Sequence, residues 1–415
     1  MTPEHLEQLE AALAQVSGFI YPNEVELHWS ILIVIYPYLT GLVAGAFILA
    51  SLARVFNVKE IQPTYRLALL TALAFLIVAP MPLQAHLGHP ERAFEIFLTP
   101  NPSSAMAMFG FVYLWYLMVV LLLEIWFDYR ADLVRWRKND KGVMKAVHWL
   151  ISLGSRDVSP AAVAFDKKAV QIITIIGIPS AFLLHGYVGF IFGSVKANPW
   201  WSSVLMPIVF LFSAIVSGIS LVLLIYYVTT LLRRKQLDMR CLNTMASFLL
   251  YALIIDLSLE ALDFIHRLYE SEESIEILER LVFTKLFLSL TIVQILIGTI
   301  GPIVMLAVGR FSALPDELKR MIYFIAAILV QVGIFSTRWN VVIGGQLFSK
   351  SLRGLTAYKL EIGGQEGLLV ALGLLILPFL ILALLLKILP PWKEAETSPE
   401  PDPEPHPEPS EAPTT

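Results

Sequence analysis

The feature that most constrains this chain is the length of its apolar runs. Residues 203–232 read SVLMPIVFLFSAIVSGISLVLLIYYVTTLL, with no charged side chain among them. A helix needs roughly 20 such residues to cross the hydrocarbon core of a bilayer. Inside that core every backbone N–H and C=O must be paired within the protein, which leaves helices and closed barrels. The apolar runs here are continuous rather than alternating, and that selects helices. The same reading places spans at roughly 28–54, 65–88, 104–128, 168–195, 203–232, 240–266, 281–309, 319–338 and 367–390. Composition agrees: 57% of residues are hydrophobic and 15% charged, against about a quarter charged in a soluble domain.

Between the second and third expected spans lies PMPLQAHLGHPERAFEIFLTPNPSSAMAMFG, residues 80–110. Pro80, Pro82, Pro90, Pro100 and Pro102 break helical geometry and turn the chain. Ser103 or Ser104 can cap the helix that follows. The connection 130–167 is basic, and its MKAVHWLISL stretch has the pattern of a helix lying on the membrane surface. The first 19 residues are acidic, with Leu6, Leu9, Leu13 and Val16 at helical spacing. They lack the basic start of a cleaved signal peptide. The tail from about residue 394 is rich in Pro and Glu; it cannot pack a core and is expected to be disordered.

Basic residues set the expected orientation. Arg54, Lys59, Arg66, Arg130, Lys167, Arg233, Arg234, Lys235 and Arg310 fall with many others on one side, and only a scatter that includes Arg92, Arg267 and Arg338 falls on the other. The rich side is expected to be cytoplasmic, with the N-terminus periplasmic and the C-terminus cytoplasmic. The chain has a single cysteine, Cys241, so it cannot hold an iron–sulfur cluster alone, which normally takes four thiolates. No span carries two histidines about two turns apart, so no haem is assigned.

Ionisable groups within a membrane are costly and mark function. His28, Tyr36, His86, His89, His185, Tyr187, Asp256, Glu260 and Asp263 concentrate toward the expected outer face; Glu124 is the main exception. Asp256, Glu260, Asp263 and Arg267 share one helix face and suit a proton relay, although Asp263 and Arg267 also read as a plain ion pair. His185 and Tyr187 are two residues apart, so they point to opposite faces. Tyr187 reads equally as an interfacial aromatic. Arg92, beside Glu91, is either a surface pair or an anchor for an anion or a partner.

Several segments together resemble the NrfD/polysulfide-reductase family of membrane subunits. LGHPERAFEIFLTPNPSSAMAMFG is similar to that family's loop after the second span. HWSILIVIYPYLTGLVAGAF resembles its first span, GYVGFIFGSVKANPWWSSVLMPIVFLFSAIVSG its fourth and fifth, and RWNVVIGGQ a late motif. The resemblance runs from about residue 20 to 390. It implies a quinone-reactive subunit that holds no cofactor of its own. A periplasmic ferredoxin-like iron–sulfur subunit would dock on it, and a molybdopterin-type or multihaem cytochrome subunit would complete the complex. It implies a quinone site in the first bundle and matches Tyr187 to the tyrosine that bonds the headgroup. His89 departs from the residue that many members carry after LG.

The resulting expectation is an all-α polytopic protein of the bacterial inner membrane, with about nine transmembrane helices. Two four-helix bundles, 28–195 and 196–338, follow a periplasmic segment, 1–27. A periplasmic loop (339–366), a ninth helix (367–390) and the tail (391–415) complete the chain. The substrate is menaquinone or ubiquinone, with His86, Asp256 and Glu260 as catalytic candidates. Tyr187, His28, Tyr36, His89 and Arg92 are candidates for quinone binding, and Asp263 and Glu124 for a proton path. No metal site and no nucleic-acid partner is expected; lipids are. A transporter or proton channel, or a structural anchor, are the alternatives.

Overall fold

The computed structural model describes residue 14, residues 16–270 and residues 274–392. The expected N-terminal amphipathic helix falls almost wholly outside the described residues, as do residues 271–273 and the Pro/Glu tail. Among the described residues, nine long helices follow the expected spans. They are α1 (Ile31–Arg54), α2 (Lys59–His86), α3 (Ala105–Asn139), α4 (Pro160–Gly193), α5 (Met206–Leu232), α6 (Met239–Glu270), α7 (Phe287–Phe311), α8 (Asp316–Val342) and α9 (Leu368–Ile388). Eight of these positions are long and apolar enough to cross a membrane. The other, α6, runs for 32 residues and carries Asp256 and Glu260.

Burial sorts the helices. A helix apolar all round must be enclosed by protein or by lipid. In α1, 94% of its most apolar window is enclosed by the rest of the chain; in α9 only 17% is. The first is therefore the central post and the second faces lipid. α1 packs against α2, α4, α5 and α8, while α9 leans on α2 and α1. The α1–α5 crossing is close because glycines face each other. A Cβ on Gly45 would overlap the Ala214 carbonyl, and one on Gly218 would overlap the backbone of Gly45. Small residues at such crossings let helix backbones touch, and packing is what holds helices together in lipid.

Local rules explain most helix ends. Ser30 starts α1 and accepts from the Leu32 amide at 3.3 Å. α2 pauses at Ala79–Pro80 and resumes over Met81–His86. Ser104, rather than Ser103, caps α3 by accepting from Ala107. The surface helix appears at Gly142–Ile151.

Several helices outrun their expected bounds, with α2 starting at Lys59 and α6 running to Glu270 among them. α3 continues as one helix to Asn139, α4 begins at Pro160, and α8 reaches Val342. Their added turns carry polar residues that find protein partners, such as the Arg130–Asp166 pair at 2.7 Å. Hydropathy alone could not extend those spans. The segment expected as a plain loop, 339–366, thus holds the end of α8, a tight turn at Gly344–Gln346 and a strand.

That strand, β2 (Arg353–Leu355), pairs antiparallel with β1 (Ser17–Phe19), with Gly18 opposite Gly354. Glu24 accepts from the Ser349 hydroxyl and, at 3.2 Å, from the Lys350 amide. The Thr356 hydroxyl donates to Val25 O at 3.1 Å. The N-terminal segment and the α8–α9 connection thus form one plate at the strand-bearing end of the molecule.

Candidate functional site

A cavity of about 380 Å³ opens toward the strand-bearing end, walled by α1, α2, α3 and α4. The proline break in α2 builds one wall, since Ala79, Pro80, Leu83, Gln84 and His86 all line it. Most of the surface is apolar, with few polar groups. Tyr36 places a buried hydroxyl there with no hydrogen-bond partner, and its ring meets Phe109 edge-on at 5.5 Å. The Tyr113 hydroxyl donates to Leu76 O at 2.7 Å. His86 holds its Nδ1 3.0 Å from Glu366 Oε1, on the connection leading into α9. An apolar box with a few fixed polar groups is the usual form of a small-molecule site.

The expected site residues divide around this cavity. Tyr36 and His86 line it. Tyr187 stands behind Phe109, stacked on that ring at 6.2 Å, so it reaches the site through a wall residue. His28 is exposed and lines a neighbouring cleft with Glu24, Asn198, Gln346 and Lys350. His89 and Arg92 lie on the surface, with side chains 74% and 62% exposed; they pair with Glu91 and Glu95, each at 3.0 Å. Exposed pairs of this kind contribute about 0–1 kcal/mol. The stretch 87–98 lines the cavity with Leu87, Ala93, Ile96 and Phe97, while His89 and Arg92 stand on its exposed side, apart from Tyr36.

A second polar cluster lies at the seam where α1, α4, α5, α6, α7 and α8 meet. Its centre is Arg338, which is wholly buried. Its Nη2 lies 3.1 Å from His185 Nε2 and donates to the Ser213 hydroxyl at 2.5 Å. The guanidinium also sits 4.2 Å from the Phe210 ring centroid, while Nε and Nη1 have no hydrogen-bond partner. Asp256 and Glu260 are the carboxylates acting on this charge.

Asp256 is buried, with Oδ1 unpartnered. Glu260 accepts from Gln294 Nε2 at 3.1 Å through both oxygens. Gln294 in turn accepts from Asn340 at 2.8 Å. A cavity of about 60 Å³ beside Glu260, Gln294 and Asn340 has room for several waters by the usual measure.

Asp263 is held differently. It accepts from Arg267 at 2.9 Å and from the Ser203 hydroxyl, and Arg267 also donates to Pro199 O. Glu124 forms a separate buried point in the opposite half of the molecule. Its Oε1 accepts from Tyr65 at 3.0 Å and Thr174 at 2.8 Å, and Oε2 has no partner. As their spacing requires, His185 turns inward to Arg338 and Thr40, 3.3 Å away, while Tyr187 turns to Phe109.

Arg338, Gln294 and Asn340 are not among the site residues expected from sequence. Hydropathy puts Arg338 at the end of a span, among the outer basic scatter. The available signal is the apolar Val341–Val342 step beyond it, which continues the helix one more turn. Among the described residues there is no group of three or more His, Cys, Asp or Glu side chains able to hold a metal.

Comparison with known proteins places this architecture. The family model described as polysulphide reductase, NrfD, matches residues 22–350. A selenate reductase subunit of Mesobacillus selenatarsenatis is 32% identical over 320 residues, covering 76% of this chain and 73% of that protein. The Hdr-like menaquinol oxidoreductase integral membrane subunit of Archaeoglobus fulgidus is 24% identical over 342 residues, 80% of this chain and 74% of its own. Protein NrfD of Escherichia coli is 26% identical over 215 residues, 51% of this chain and 63% of that one.

Proposed function

The chain belongs to the NrfD polysulphide reductase family, and from that membership we propose that it is the quinone-reactive membrane subunit of a multi-subunit respiratory oxidoreductase. It exchanges electrons between a periplasmic iron–sulfur partner and the menaquinone or ubiquinone pool. The names of its relatives support the redox complex: one is a selenate reductase subunit and another a menaquinol oxidoreductase subunit. The catalytic subunit that completes the complex is of the molybdopterin or multihaem class. The protein sits in the bacterial inner membrane with its strand-bearing end toward the periplasm, because Arg54, Lys59, Lys167 and Arg233 gather at the opposite end.

The observation that carries the reading is the cavity beside Tyr36. A quinone headgroup needs an apolar slot, a donor for a carbonyl oxygen and a proton source. The buried Tyr36 hydroxyl supplies the donor, and its lack of a partner makes it available to a ligand. His86, at the mouth and tied to Glu366, supplies the proton exchange. Tyr187 orients the site through Phe109, and His28 lies on the approach. In the 28–195 bundle the quinone takes two electrons and two protons. In the 196–338 bundle, Asp256, Glu260 and Arg338 make up a charge cluster through which protons move. Asp263, held by Arg267 and Ser203, and Glu124, held by Tyr65 and Thr174 toward the cytoplasmic half, are the further proton-path groups.

Titration of the purified complex with a fluorescent quinone analogue tests this. Tyr36→Phe is expected to weaken binding about tenfold, roughly 1.4 kcal/mol, with a smaller effect from Tyr187→Phe. Unchanged binding in both variants would remove the headgroup from this cavity. Absence of binding in an intact wild-type complex would return the weight to a structural anchor.

A further inference from the structure

At the end opposite the Tyr36 cavity, a separate cavity of about 570 Å³ lies where α1 ends, α2 begins and α4 passes. Its polar lining is Arg54, Asn57, Lys59, Gln62, Lys167 and Gln171. Three cations from three chain segments therefore converge, together with three side-chain amides. No carboxylate lines it among the described residues. The turn that makes this possible is tight: Asn57 takes a left-handed φ of 59°, which asparagine adopts more readily than most residues.

Three cations around one cavity with no carboxylate in its lining favour an anion between them. Amide donors and ammonium groups suit phosphate oxygens, as in other phosphate sites. The surroundings favour an ester carried by a lipid. Phe56, between the lining residues Val55 and Asn57, is 63% exposed, as a residue is that sits among acyl chains. Basic groups just beyond membrane spans attract anionic lipids of the adjacent leaflet.

We propose that this cavity is a binding site for a phosphate ester anion, filled by the headgroup of an anionic phospholipid. The site is independent of the quinone reading. It also has a route into the bundle. The Arg54 guanidinium lies 5.8 Å from the centroid of the Tyr65 ring, and Tyr65 donates to Glu124. An anion held by Arg54 draws on the cation nearest that buried pair, so lipid occupancy and the Glu124 environment are linked.

Native mass spectrometry of the full-length protein tests the site. Phosphatidylglycerol and phosphatidylcholine of matched chains are offered separately, and inorganic phosphate is added in a third arm. Wild type is expected to retain one phosphatidylglycerol about fivefold more than phosphatidylcholine or better. The exposed pair Lys59→Ala with Lys167→Ala should abolish that preference, and Lys59→Arg with Lys167→Arg should restore it. Retention that resists millimolar phosphate assigns the site to lipid. Displacement by phosphate upholds the anion site but overturns the lipid as its occupant. Equal retention of both lipids by wild type, or a preference unaltered in the double alanine variant, overturns the proposal.

Discussion

Arg338 and His185, 153 residues apart in sequence, meet at 3.1 Å in the interior of the helix bundle. The contact joins α8 to α4 through a cation and a ring that are both wholly buried. An unsupported charge at this depth would be prohibitive, and Asp256 and Glu260 are acidic groups within electrostatic reach of it, without a direct ion pair among the described residues. Replacing the cation should therefore expose the carboxylates as the next problem. Arg338→Leu is expected to cost about 3 kcal/mol or more in stability. Adding Asp256→Asn and Glu260→Gln should recover a large part of it. Thermal unfolding of the detergent-purified protein reads both, and a triple variant no more stable than the single one would disprove the electrostatic coupling. Arg338→Lys keeps the charge but loses the planar fork, so it should fold better than Arg338→Leu.

The glycine contact between α1 and α5 gives a steric expectation. Gly218→Ala places a methyl group against the backbone of Gly45 and should destabilise by about 1–3 kcal/mol through forced separation of the helices. Gly88→Ala, where an added Cβ meets nothing within 4 Å, should be close to neutral. Monodispersity after detergent extraction, measured for both variants, separates them; equal behaviour would mean that the α1–α5 contact is slack.

Two neighbouring tryptophans close the end of α8. Trp200 Nε1 donates to Asn340 O at 2.8 Å, and Trp201 Nε1 to Val341 O at 2.6 Å. The last carbonyls of a helix lack partners within it, and these two indoles supply them. Trp200→Phe preserves the ring and deletes the donor, with an expected loss of about 1–3 kcal/mol. The comparison is Trp115→Phe, whose indole bonds Ser180 at 3.1 Å on a ring that is 46% exposed. Its loss should be smaller, and matching unfolding midpoints would refute the difference.

The start of α4 is expected to respond to acid. Asp157 accepts from the Ser159 amide at 2.8 Å, and that bond, with help from the Ser159 hydroxyl and Arg130, holds its carboxyl below the usual aspartate range. A carboxyl lowered in the folded state contributes order above its unfolded pKa and loses that contribution as pH falls through the lower, folded value. Protection factors of the amides at residues 159 and 161–163, that is, exchange rates normalised to the intrinsic rate at each pH, should thus fall on acidification in wild type. Asp157→Asn should flatten that dependence, and the same acid profile in both proteins would exclude Asp157 as the cause.

Much of the scaffold was legible because lipid makes local sequence informative. Continuous apolar runs gave the spans, the prolines at 80 and 82 gave the broken end of α2, and the serines at 103 and 104 gave its successor's cap. The surface helix at Gly142–Ile151 followed from its pattern. Tyr36 and His86 were legible as polar groups at one depth, and they share a cavity. What was hidden has a common cause: long-range pairing leaves no periodic trace. Nothing in the sequence near Arg338 points to His185, and nothing near His86 points to Glu366. The wide helical turns at Tyr116–Leu122 and Phe287–Ile300 also shift side chains off the ordinary helical register. The spacing that places Glu260 on a face therefore says little about Gln294, its actual donor on α7.

The strand pair at the rim also has a meaning for how the molecule is made. Its two halves sit at opposite ends of the polypeptide, Ser17 facing Leu355. Chains emerge from the ribosome N-terminus first, so β1 must wait through the insertion of eight helices before its mate exists. The rim is then among the last features to close, and a chain cut short before Arg353 would display an open strand edge. An unpaired edge is a ready template for aggregation or for capture by other proteins. The small sheet is thus a contact that only a chain extending past Leu355 can make.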